Sequence, residues 1–474
     1  MDFSGSSLLF ATQQRCAAFF VLTEVLMDQS FMKEKPILPL VLRMSLPMVI
    51  SMLVNSLYNI VDSIFVAQVS EDAMTALSLV FPLQNLANAV GIGFGVGINA
   101  AVAYYLGAGN ERAANRSATV GLILSLVHGV ILAALCAALI KPFLSLFTQS
   151  QPVIDYGLEY FYTVIAFSPV LTASMALEKI LQATGKMKTT MFCMAIGAIV
   201  NIILDPLFIS GAGFIPAMGV FGAALATGIG QTVSLLSYVI VFIKIKIPVR
   251  FRLERNCGEK ICRRLYFVGI PASLNLALPS FMITALNAIL SAYAEANVLI
   301  LGAYYKLQTF IYFTVSGIVQ GIRPLAGYNM GAGRRDRVIK IFKVTLVLSL
   351  VVMAIGTLLC LAIPSQLMGL FTQSGQTTEA GAMALRIISA GFIVSALSVV
   401  ISGLFEGLGK GMPSLVISLL RYVAIIPIAL LLSLVCGAIG VWNAFWVTEI
   451  ISAAVSLILI RSYFFRQRNE DRLQ

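Results

Sequence analysis

Twelve stretches, each long and apolar enough to cross a bilayer as a helix, govern what this 474-residue chain can fold into. In hydrocarbon every backbone N–H and C=O must be satisfied within its own segment, so a span takes about 20 apolar residues wound as a helix. The stretches lie near residues 38–66, 74–104, 117–140, 158–182, 189–210 and 219–243. A second set lies near 265–292, 297–326, 338–363, 382–405, 413–436 and 439–462. With 59% hydrophobic and 11% charged residues, no soluble domain fits; the expectation is an all-α polytopic membrane protein.

The net charge of +11 is scattered over short loops, so it carries topology and no nucleic-acid signal. Alternate loops hold Arg112 and Arg116; Lys186 and Lys188; the basic run from Lys244 to Arg264; Arg334, Arg335 and Arg337; and Lys410. The intervening loops offer only Lys141, which places both termini in the cytoplasm. Residues 1–35 form an N-terminal extension, in which Leu8–Met27 is too polar for a span and lacks a cleavage site. It reads as an interfacial helix or as an over-long start, with Met27 or Met32 as the first residue. Seven cysteines show no metal spacing, and Cys257 and Cys262 share a loop expected to be cytoplasmic, where thiols stay reduced. The single histidine, His128, reads as a packed or interfacial residue.

The chain repeats itself. Leu146–Ser150 (LFTQS) recurs as Leu370–Ser374, a shift of 224 that also carries Pro47 to Pro271, Gly107 to Gly331 and Gly185 to Gly409. Near the ends the shift is 221, taking Gly219 to Gly440 and Thr227 to Thr448. Two six-span repeats in the same orientation are expected, as lobes 36–243 and 265–462 flanking a cavity. Residues 244–264 are then a cytoplasmic basic linker and 463–474 a cytoplasmic tail. The repeat is chemically unequal: the first lobe holds Asp62, Asp205 and Glu178 inside spans, whereas the shift turns Asp62 into Leu286.

Intramembrane ionisable groups are costly and point to function. Asn201 and Asp205, four apart, share a helix face, and Pro206 leaves the carbonyl of Ile202 without its helical donor. An amide, a carboxylate and a freed carbonyl suit a proton or a small cation, against a polar clamp between helices. Ser51, Asn55, Tyr58 and Asp62 form one polar stripe on the first span. Thr227 and Gln231 share a face where the hydroxyl either completes the site or bonds its own helix. Glu178 either guards the cytoplasmic end of a cavity or pairs with Lys179, and Glu406 beside Lys410 is open in the same way. Lys306 and Arg421 read as salt-bridging residues between spans, with Glu449 the one deep acid of the second lobe. The glycines from Gly91 to Gly97 lie inside a span with no Gly-Lys-Ser/Thr after them, so they read as helix packing and not a phosphate loop. No cofactor is expected, and transport energy is expected from an ion gradient.

The stripe Asn55…Tyr58-Asn59…Asp62, the segment Leu177-Glu178…Gly185, Asn201…Asp205-Pro206 and Gly222…Thr227 together resemble the MATE (multidrug and toxic compound extrusion) family. The loops at Gly107–Gly109 and Gly331–Gly333 fit as well, and the likeness, nearest the bacterial DinF/MepA-like branch, covers roughly residues 35–462. The resemblance implies a V-shaped, twelve-helix, two-lobed antiporter of the cell inner membrane that exports cationic or amphipathic compounds. It implies that Asp62, Asn201, Asp205 and Thr227 bind the coupling H⁺ or Na⁺. Glu178, with Asn55 and Tyr58, would recognise the small-molecule substrate, and the chain would act as a monomer in the lipid bilayer. The alternatives are a lipid-linked oligosaccharide flippase of the same superfamily, which would need a cationic cavity, and a polyprenyl-transferring membrane enzyme. The enzyme would need paired aspartates at close helical spacing; no Asp-x-x-Asp lies in any span.

Overall fold

The computed structural model describes residues 29–67, 69–211, 216–252 and 259–473, so Leu8–Met27 and Cys257 lie outside the described residues. A short α1 (Phe31–Glu34) leads into α2 (Ile37–Ala67), α3 (Glu71–Gly107) and α4 (Glu111–Phe147). Next come α5 (Gln151–Ala166), α6 (Ser168–Ala183), α7 (Met187–Ile209) and α8 (Gly219–Lys244). The second half comprises α9 (Glu259–Ser291), α10 (Glu295–Gly331), α11 (Arg335–Ala362), the short α12 (Pro364–Gly369), α13 (Gly375–Ser389) and α14 (Phe392–Gly407). It ends with α15 (Gly411–Tyr422), α16 (Ile425–Cys436) and α17 (Ala438–Leu473). Helix α9 begins inside the basic stretch read as a linker, and α17 runs through the stretch read as a tail.

Ten helices among the described residues are long and apolar enough to span singly, counting α15 with α16 as one; two bent pairs bring the total to twelve. The bends are 46° between α5 and α6 and 51° between α13 and α14, at positions related by the repeat. Pro169 near the start of α6 supplies no N–H to Ile165, which breaks the first pair. The eleventh span, expected to be continuous, is divided at Val423–Ala424, because the ring of Pro427 crowds the carbonyl one turn back. Side chains cap the starts of α3 and α4: Ala73 N–H donates to Ser70 Oγ and Ala113 N–H to Asn110 Oδ1, each at 3.0 Å.

At the end carrying the loops at Gly109, Gly185, Gly333 and Gly409, hereafter the basic-loop end, both lobes share one core. Met44, Met48, Ile98 and Ile180 of the first lobe pack there with Leu265, Ile322, Leu325 and Tyr328 of the second. At the other end each lobe wraps its own core, one around Val80, Leu144 and Phe161, the other around Leu286, Tyr304 and Ile388. The lobes therefore meet on the basic-loop half and diverge beyond it, as a V.

Glycine sets how closely they meet. A Cβ on Gly317 would stand 2.6 Å from Val49 Cα, and one on Gly93 would overlap the Ser273 backbone. Gly107 abuts Tyr328 while Gly331 abuts Tyr104, a reciprocal contact across the pseudo-twofold. The glycines from Gly91 to Gly97 thus serve packing, as their position in a span implied. Ser45 Oγ donates to Ile318 O at 3.1 Å across the same seam, and His128 Nε2 meets Tyr266 Oη at 2.8 Å. Residues before α2 also bridge the lobes. Phe31 and Met32 lie against Gly185, while Asn329 Nδ2 donates to Met32 O and Arg337 Nη2 donates to Lys35 O at 2.7 Å.

Candidate functional site

Helices α7 and α8 press together because Gly197 lies against Gly230 and Ser234, and Gly230 in turn leaves room for the Cβ of Asn201. That contact positions the polar cluster expected from the sequence. Asn201 Nδ2 donates to Asp205 Oδ1 at 3.2 Å and to Thr227 Oγ1 at 3.4 Å, and Asp205 is completely buried. Of the two readings for Thr227, the structure has the one in which its hydroxyl joins the cluster. Helix α7 stays continuous through Pro206, so the carboxylate, the amide and the Ile202 carbonyl all remain on one helix.

Helix α2 brings Asp62 to the same region, near enough to Asp205 for the two charges to interact, with buried Tyr160 of α5 within range of both. Asp62 Oδ1, Asp205 Oδ2, Asn201 Oδ1 and Gln231 Oε1 are all buried and accept no hydrogen bond from the described groups. Buried oxygens are ordinarily paired, so a pocket rich in acceptors and poor in donors suits a proton or a small hard cation. Further along the α2 stripe, Tyr58 is half-buried and Asn55 is exposed. Ser51 is buried and turned back on its own helix, donating to Pro47 O at 2.9 Å.

The repeat shows what the second lobe offers in the same places. Asp62, Asn201 and Asp205 correspond to Leu286, Ile425 and Ala429, all buried and apolar. Thr448, the partner of Thr227, bonds its own helix at Ala444 O, 2.7 Å away.

Glu178 sits apart from this cluster, on α6 at the seam between lobes. Its Oε1 accepts from Lys179 Nζ at 2.6 Å and from Gln182 Nε2 at 2.7 Å, so the pairing reading holds in this conformation. Lys179 Nζ also reaches Gln320 Oε1 of α10, in the other lobe, at 3.3 Å.

Of the further charged groups, Arg421 ends up where the sequence reading put it, and Glu406, Arg323, Lys410 and Lys306 do not. Glu406 pairs with Arg323 at 2.5 Å, not with Lys410, and also accepts from Asn275 and Ser414 at 3.0 Å. Lys410 follows the end of α14 and is carried away by the turn at Gly409 to lie over Tyr463. Arg323 escapes a hydropathy reading because it falls at the edge of the predicted span 297–326. Arg421 forms the expected bridge, a two-pronged contact with Glu449 at 2.7 and 3.1 Å, backed by Ser398. Lys306 does not: it is exposed, with the Phe371 ring 6.0 Å away and no acid bridged to it among the described residues.

Comparison with known proteins bears on the family and the fold. The sequence model of the MatE family matches residues 47–207 and again residues 271–431, one match in each lobe. The chain is 24% identical to the multidrug export protein MepA of Staphylococcus haemolyticus, over 91% of this chain and 95% of that one. It is 27% identical to an FAD transporter of Shewanella oneidensis, over 93% and 97%. Its fold matches an outward-facing multidrug resistance MATE transporter with a TM-score of 0.87, at 24% identity, covering 92% of this chain and 98% of that one.

Proposed function

This chain belongs to the MatE family of membrane transporters, and from that premise we propose that it exports cationic or amphipathic compounds across a bacterial inner membrane by H⁺- or Na⁺-coupled antiport. The observation that carries the reading is the buried oxygen cluster of Asp62, Asn201, Asp205 and Thr227 in one lobe only, opposite an apolar counterpart. A single positive charge on the Asp62–Asp205 pair, whether proton or Na⁺, relieves their repulsion and supplies what the unmatched oxygens lack.

The positive charge of the basic loops supports a cytoplasmic position for the lobes' shared end, and on that reading this conformation opens outward. Entry of the ion from outside repacks the first lobe, lowers its affinity for cargo and releases cargo to the exterior. Return to an inward-open state then delivers the ion to the cytoplasm and readmits cargo. A ligand moves such an equilibrium only by binding the two states unequally, which is the role of the first-lobe acids. Asn55 and Tyr58, on the stripe leading to Asp62, lie on the cargo's route. A flippase for pyrophosphate-linked lipids fits less well, since acids dominate the first lobe. The FAD transporter relative supports a second reading, in which the cargo is a flavin nucleotide.

The test is efflux of ethidium from cells making the wild type or Asp205→Asn, with the Na⁺ and proton gradients varied separately. Export that follows one gradient and disappears in the variant is expected. Near-wild-type export by Asp205→Asn sinks the assignment of the coupling site.

A further inference from the structure

The ammonium of Lys179 uses all three of its donors: Glu178 Oε1 at 2.6 Å, Gln182 Oε1 at 3.2 Å and Gln320 Oε1 at 3.3 Å. Two of these acceptors belong to its own helix, and the third belongs to the opposite lobe. The side chain is only 4% exposed, and its stem passes over Gly95, where any Cβ would stand 2.8 Å from Lys179 Cγ. Asn99 Nδ2 holds the Lys179 carbonyl at 3.0 Å, which fixes the backbone under the cluster. Gln182 and Gln320 are fixed in turn, by Met48 Sδ and Met52 Sδ, each at 3.3 Å. Glu178 therefore already holds a cation, one tethered to the adjacent residue and tied to lobe closure through Gln320.

We infer that Lys179 is a built-in competitor for cationic cargo at Glu178, tightened when the lobes close on the basic-loop side and loosened when they part. The inference rests on the reading of the chain as an exporter of cations in which Glu178 recognises cargo. In the closed state the tethered ammonium occupies the carboxylate, and its high local concentration keeps cargo off. When the lobes separate, Gln320 moves away with α10 and Lys179 loses one of its three acceptors. Its hold on Glu178 weakens, and a soluble cation can replace it. The affinity for cargo is thus high when the site faces the cytoplasm and low when it faces outward, the difference an exporter needs. The same competition favours cargo carrying at least one full positive charge, since a neutral molecule has no means to displace an ammonium. Lys179 is on this account a positioning residue for specificity and release.

The experiment uses the purified full chain with ethidium as the probe, reading Kd by fluorescence anisotropy and KM and kcat in proteoliposomes. K179M is expected to bind ethidium about tenfold tighter, the equivalent of one charge-assisted hydrogen bond. KM and kcat should fall together, because cargo is no longer displaced outward. K179R, which keeps a cation in place, should restore most of the wild-type KM, and the tightening should vanish in the double variant K179M/E178Q. A wild type that exports ethidium beside a K179M whose Kd is unchanged overturns the inference and leaves the export reading standing. A wild type that neither binds nor exports ethidium overturns both.

Discussion

The reciprocal contact of Gly331 with Tyr104 and of Gly107 with Tyr328 makes Gly331→Ala a direct probe of how the lobes close. In the closed form the new Cβ would overlap the carbonyl oxygen of Tyr104 and stand 2.9 Å from its carbonyl carbon and 3.0 Å from Ala108 N. All three are backbone atoms of helix α3 and its cap, so no side chain can swing aside. Gly331 is the last residue of α10, so any gain in helix propensity is small, present in both conformations and cancels from their equilibrium. What remains is the overpacking term of about 1–3 kcal/mol, which falls on the closed form alone. It moves the balance between closed and parted basic-loop ends by about five- to 150-fold. Electron–electron double resonance between spin labels at Glu111 and Asp336, both exposed and on opposite lobes, reads that balance. A second, longer distance population is expected in Gly331→Ala, with undiminished thermal stability. A distance distribution identical to the wild type would refute the claim that this glycine pair limits closure. Gly107→Ala should act in the same direction, and the double variant less than additively, because both contacts lie on the same loop pair.

The remaining expectations separate residues that hold the fold from residues that work in it. Glu449→Gln leaves Arg421 with its partner gone from a largely buried site, and should cost about 3 kcal/mol, read as a lower melting temperature in detergent. Asp62→Asn should abolish export with the melting temperature unchanged or raised, since it removes an acid whose buried Oδ1 accepts no hydrogen bond from the described groups. Gly230→Ala places a Cβ 3.0 Å from that of Asn201 and should cut ethidium export at least tenfold while the protein still reaches the membrane. Arg337→Ala removes the donor to Lys35 O, and increased protease cleavage near residue 35 would report release of the segment before α2.

Much of this architecture could be read from the chain, for identifiable reasons. Spans are set by the bilayer's thickness, and a 224-residue shift linking LFTQS to LFTQS holds in sequence whatever the tertiary detail. The polar cluster was readable because Asn201 and Asp205 lie on one helix face, where spacing alone fixes proximity, and because Thr227 occupies the next span at matching depth. Contacts across helices were not readable. Glu406 chose Arg323 over its chain neighbour Lys410 because α14 ends at Gly407, and the left-handed turn at Gly409 (φ 73°) redirects everything after it. The reach of Lys179 to Gln320 depends on the rotation of α6 against α10, which no periodicity encodes.

The unequal chemistry of two lobes with one fold then follows from how each meets the cost of charge in a membrane. In the second lobe the buried charges are answered from within: Arg421 by Glu449, and Glu406 by Arg323. In the first lobe, Glu178 has its tethered ammonium, whereas among the described residues no cation is bridged to Asp62 or Asp205, and Asp205 accepts from the Asn201 amide. A fixed internal partner favours one arrangement of a helix pair. In the proposed antiport, a carboxylate pair with no cation bridged to it among the described residues would favour a different packing when a mobile cation arrives, and an ion gradient would act on that difference. On the proposed antiport reading, the repeat would supply the symmetric frame for rocking, and the substitution of Leu286, Ile425 and Ala429 for Asp62, Asn201 and Asp205 would confine the energetic input to one side of it.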